Sequence, residues 1–79
     1  MKGLNQLIDE KFLEENTRIK NALYLANIHT YSELFEKANQ KYNLYYLPRL
    51  GVSSIKKLNQ HVIGKFKRSM PDYKRNIHF

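Results

Sequence analysis

No cysteine occurs anywhere in the chain, and in a polypeptide of 79 residues that single absence removes most of the ways a small protein holds itself together. Disulfide scaffolds, thiolate metal centres and thiol nucleophiles are all excluded. A chain this short buries only a modest part of its surface, so cohesion has to come from economical packing of regular elements. His29, His61 and His78 match no metal-ligand spacing and read as solvated or partly packed side chains, so neither a metal nor a cofactor is expected. The longest apolar stretches are a few residues, far short of a membrane span. The start, MKGLNQLIDE, carries acids where a signal peptide would be apolar. A cytoplasmic protein with no membrane partner is the expectation.

Strand signals are missing, and apolar residues recur at helical spacing instead. Leu4, Leu7, Ile8 and Phe12 predict an amphipathic first helix ending near Glu15, with an acidic outer face. Asn16 or Thr17 is placed to cap a second helix, Asn16 to Ala26, buried through Ile19, Ala22, Leu23 and Ala26. Thr30 and Glu33 have capping-box spacing, so a third helix runs from Tyr31 to about Ala38 with Leu34 and Phe35 inward. Asn39 to Asn43 is turn-prone, and Leu44 to Leu47 suits one helical turn before Pro48. Gly51 is read as taking the positive φ of a bend, Ser53 or Ser54 as capping the last helix, and Ile55, Leu58, Val62, Ile63 and Phe66 as its buried stripe. The expected fold is all-α: one compact bundle of four to five short helices over residues 1–68, with a basic, flexible tail over 69–79.

Fourteen basic residues face seven acids, and the excess is unevenly placed. Residues 1–16 sum to −2, residues 17–48 to +2 and residues 49–79 to +7. A field concentrated in this way draws a polyanion or an acidic partner through counterion release; a merely soluble basic surface is the plain alternative.

Leu44 to Leu58, LYYLPRLGVSSIKKL, combines a short helix, a Pro-X-X-Gly bend and a second helix, which is the layout of a helix-hairpin-helix element. Backbone amides at such a bend and at the following helix start favour an anion. The same bend also serves as an ordinary connection between helices. A second block stands upstream: Arg18, Asn21 and Leu23, then Ile28 and Leu34. With Pro48, Leu50, Gly51 and Ser54, this ordered set resembles the C-terminal domain of the bacterial RNA polymerase alpha subunit, over roughly Leu13 to Phe66.

The resemblance implies double-stranded DNA as partner, with the second helix and the start of the last lying across the backbone and minor groove of A·T-rich duplex. Arg18 corresponds to the family's minor-groove arginine, Asn21 to its DNA-contacting asparagine, and Gly51 and Ser54 to residues at the phosphates. The candidate DNA-binding set is Arg18, Asn21, Ala22, Arg49, Gly51, Ser53, Ser54 and Lys57. A narrow A·T-rich groove concentrates negative potential and draws in a guanidinium, so preference by shape is the expected mode. Two positions depart from the family: Ser53 replaces a lysine and Lys57 an acid, which keeps the positive field but shifts it. The acidic N-terminal helix and the segment KFKRSMPDYKRNIHF exceed the family core, which suits a free-standing, nucleoid-associated relative of bacterial or phage origin.

No acid pair, nucleophile with base, or Gly-rich nucleotide loop is present, so the chain is read as a non-enzyme without a small-molecule substrate. Tyr31, Tyr42, Tyr45 and Tyr46 could stack on single-stranded bases, but core packing is the expected role of at least half of them. The competing function is a protein-interaction adaptor that docks on RNA polymerase or a transcription regulator without strong DNA binding.

Overall fold

The computed structural model describes residues 4–40 and 44–70. Four α-helices follow one another: α1, Glu10–Glu15; α2, Thr17–Leu25; α3, Tyr31–Ala38; and α4, Val52–Phe66. A single 3-10 turn, Leu44–Tyr46, precedes the bend into α4. No strand occurs among the described residues, only one isolated antiparallel bridge between Leu7 and Thr30. The radius of gyration, 11.4 Å, is that of a compact chain of this length.

All four helices bury their apolar residues against one another. Leu23, Tyr31, Leu34, Leu44, Ile55, Leu58 and Val62 are the largest fully enclosed side chains, one or more from α2, α3, the 3-10 turn and α4. Aromatic edges complete the packing: the Phe66 ring meets Tyr31 at 4.9 Å and Phe35 at 6.0 Å, both T-shaped. Ile63 departs from the expected stripe and is 40% exposed, because the buried run of α4 is Ile55, Leu58, Asn59 and Val62. Asn59 is enclosed because its Oδ1 accepts the backbone N–H of Met70 at 2.8 Å. Met70 is itself buried, so the packed body reaches at least to that residue and the start of the expected loose tail belongs to it. The rest of that tail, 71–79, lies outside the described residues, as do 41–43 with Tyr42.

The first helix is shorter than its spacing predicts. Residues 4–9 are not helical; they run beside 28–32, with Ile8 N–H donating to the His29 carbonyl at 3.0 Å and Tyr31 N–H to the Gln6 carbonyl at 3.1 Å. Ser32 N–H donates to the Leu4 carbonyl. These bonds satisfy the first two amides of α3, which a helix start leaves without partners. Thr30 and Glu33 supply the rest through the expected capping box: Glu33 N–H donates to Thr30 Oγ1 at 3.1 Å and Thr30 N–H to Glu33 Oε1 at 3.0 Å. Helix periodicity gives way here to backbone pairing with the start of α3.

Between α2 and α3 the chain turns through a Schellman motif. Asn27 takes φ 61°, Ile28 N–H donates to the Leu23 carbonyl at 2.9 Å and Asn27 N–H to that of Tyr24 at 3.0 Å. Both Ile28 and Leu23 are buried, which supplies the apolar contact that accompanies this turn.

Candidate functional site

A single residue, Asn16, links α1 to α2, and its side chain serves the helix behind it. Nδ2 donates to the Phe12 carbonyl at 2.8 Å, closing α1, so the expected cap on α2 is not made by Asn16. The first-turn amides of Thr17, Arg18 and Ile19 therefore have no hydrogen-bond partner among the described residues. At α4 the residue before the first turn is Gly51, with φ −84° and ψ 175°, and again no side chain caps the helix. Ser53 and Ser54 fall inside the first turn, two and three positions past the cap, too late to act as the expected one. Val52, Ser53 and Ser54 thus also keep amides without partners among the described residues.

These two uncapped helix starts face the same groove. Asn16, Thr17, Arg18 and Ile19 form one wall and Ser53, Ser54 and Lys57 the other, enclosing about 340 Å³. Ile19 and Ile55, buried at 2% and 1% exposure, anchor the two first turns in the core and fix their approach. Neither first turn carries an acid, so the positive ends of both helix dipoles stay uncompensated from within. Glu15 also lines this groove, but no ion pair joins it to Arg18 or Lys57 among the described residues.

Next to it lies a larger open depression of about 730 Å³, lined by Arg18, Asn21, Leu47, Arg49, Leu50 and Gly51. Arg18 is common to both, so the two form one continuous basic surface. The bend that supplies its second wall is a turn over Leu47 to Leu50, closed by Leu50 N–H to the Leu47 carbonyl at 3.4 Å. Leu50 is buried beneath it, while Arg49 stands exposed with φ 69°. Gly51 does not hold the positive φ expected of it; Arg49 does.

Of the eight residues singled out from the sequence, seven line this double surface: Arg18, Asn21, Arg49, Gly51, Ser53, Ser54 and Lys57. Ala22 does not, because its methyl is only 2% exposed and packs in the core. Leu47 and Leu50, which were not among the eight, form the apolar part of the floor.

A second cluster had no signal in the sequence because its members come from three distant stretches: Asp9 and Phe12, Tyr31, and His61 and Lys65. His61 of α4 stacks on Phe12 of α1 at 4.1 Å, and its Nε2 lies 2.9 Å from the Tyr31 hydroxyl and 3.3 Å from Asp9 Oδ2. Lys65 reaches Asp9 Oδ1 at 3.4 Å, and Asp9 N–H donates to the Tyr31 hydroxyl at 3.1 Å. Burial pushes the Tyr31 phenol up to about 12, with the Asp9 carboxylate adding to the rise. The cluster ties α1 to α4 on a different set of residues from the basic surface.

Of the four tyrosines weighed between base stacking and core packing, Tyr31 is wholly buried, Tyr45 half-buried and Tyr46 exposed, and Tyr42 lies outside the described residues. No three His, Asp or Glu side chains gather as a metal group among the described residues, and no helix there is long and apolar enough to cross a membrane. Compared with known proteins, the chain matches no family model, no curated sequence and no solved structure.

Proposed function

We propose that the chain is a DNA-binding module of the type found in the C-terminal domain of the RNA polymerase alpha subunit, acting in transcription or its regulation. In this reading Leu44–Tyr46, the Pro48 bend and α4 serve as a helix-hairpin-helix element. The observation that carries the proposal is the convergence of two uncapped helix starts and the exposed side chains of Arg18, Asn21, Arg49 and Lys57 on one surface. Six amides without partners among the described residues, two dipole ends and three cations suit a sugar-phosphate edge. Arg18 sits where a helix dipole disfavours a cation, and no described carboxylate pairs with it. In the proposed complex a narrow minor groove supplies the missing negative charge.

Binding by one small module is weak, with a dissociation constant on the order of 10–100 µM at physiological salt, and it weakens steeply as salt rises. A heteronuclear shift titration with a short A·T-rich duplex tests the proposal directly. Perturbations should cluster on Thr17 to Asn21 and Arg49 to Lys57, and the double change Arg18→Ala, Asn21→Ala should lower affinity by about tenfold or more without loss of helicity. Equal affinity before and after that change would overturn the assignment. Binding to purified RNA polymerase or a regulator with no duplex binding would favour the adaptor reading, which the departures at Ser53 and Lys57 suggest.

A further inference from the structure

On the α1 side of α2 lies another groove, of about 420 Å³, that the proposed DNA surface does not use. Its floor is the buried core itself, through Ile8, Leu13 and Ile28. Two large apolar side chains form its walls: Leu7, 71% exposed, and Tyr24, 55% exposed. Leu7 is not a loose end. The main chain on either side is held to 28–32 by the bonds of Ile8 N–H to His29 and Tyr31 N–H to Gln6, so the leucine is presented in a fixed place. Tyr24 is likewise positioned, edge-on to the His29 ring at 5.3 Å. A rigidly displayed apolar pair over an apolar floor is a surface suited to being covered.

The rim decides by what. Glu10 stands on the α1 side and Lys20 on the α2 side, and neither makes an ion pair among the described residues. Lys20 lies over the Tyr24 ring at 5.8 Å. Asp9, the other rim carboxylate, is already engaged by His61 and Lys65. A partner of one sign would satisfy one rim charge and oppose the other. A copy of the same groove turned through a two-fold axis satisfies both at once, setting each Glu10 against the other copy's Lys20 across the joined Leu7 and Tyr24 side chains.

We infer that this groove is the self-association face of the chain, forming a weak two-fold dimer. Arg18 and Asn21 line a different surface of α2 from Lys20 and Tyr24, so each copy keeps its basic face open. The inference does not depend on what that basic face binds.

Sedimentation velocity of the full chain from about 10 µM to about 1 mM should show a reversible monomer–dimer equilibrium, since a small, partly polar patch gives a weak interface. Glu10→Lys and Lys20→Glu, each alone, oppose like charges twice across the axis and should weaken the dimer by about tenfold or more. An equimolar mixture of the two variants restores both pairs and should recover the dimer, as a heterodimer. Both variants keep a strongly positive net charge, so bulk attraction cannot mimic that recovery. Circular dichroism verifies that each is folded. The inference fails if the unaltered chain is monomeric throughout the range, or if the mixture associates no better than either variant alone.

Discussion

Arg49 is the residue on which stability and the proposed activity pull apart. Pro48 fixes the second position of the turn, and the turn then places its positive φ, 69°, on the third, which is Arg49. An L-residue in that conformation costs about 1–2 kcal/mol, part of which glycine avoids. Arg49→Gly should therefore raise the urea-unfolding free energy by about 0.5–1 kcal/mol while lowering affinity for duplex DNA, the two read on the same preparation. Gly51 was the natural residue to assign the bend from sequence, since glycine alone adopts positive φ freely. Its extended backbone leaves the positive φ to Arg49, the residue after the proline, and the space beside its Cα would admit a side chain. Ala22 teaches the same lesson for the site. A position beside Asn21 in the chain lies a hundred degrees around the helix, and here that rotation carries it into the core.

At the scale of the helix, α3 and its neighbours divide the labour. The start of α3 is sealed by the Thr30–Glu33 box and by the carbonyls of Leu4 and Gln6, whereas the first-turn amides of α2 and α4 have no partner among the described residues. Glu33 also accepts the N–H of His29 at 2.8 Å, and these backbone bonds hold its carboxyl below its ordinary value of 4.5. Since the folded value is the lower one, this contribution is complete above about pH 4.5 and is lost as pH falls through the folded value. Glu33→Gln keeps an acceptor in the box but removes the titration. Urea unfolding should then show a smaller loss of stability between about pH 5 and pH 3 than the parent chain shows. The box was legible because both partners lie within one turn of sequence. The backbone pairing of 4–8 was not, because its partners are some twenty-five residues away and leave no periodicity behind. Leu7 obeyed the helical spacing and still ended on the surface.

Seen whole, the molecule keeps its basic surface and its apolar groove on different sets of residues, with α2 contributing to both. The helix order and the α4 stripe apart from Ile63 were readable because each rests on local spacing, and seven of the eight candidate residues, picked from an ordered motif, lie on one continuous surface. The His61–Asp9–Tyr31 cluster and the groove beside Tyr24 were not, since only the packed bundle brings their members together. The pairing of Leu4, Gln6 and Ile8 with the start of α3 bears on where this protein can be trimmed. A version begun at Asp9 would retain all four helices on paper. It would also strip the acceptors from Tyr31 and Ser32 and take Ile8, 4% exposed, out of the interior. Such a fragment should unfold about 3 kcal/mol more easily in urea, enough to matter in a domain this small. The smallest autonomous folding unit is thus longer than its helical boundaries suggest, and tags or fusions are better joined ahead of Leu4 than at the first helix.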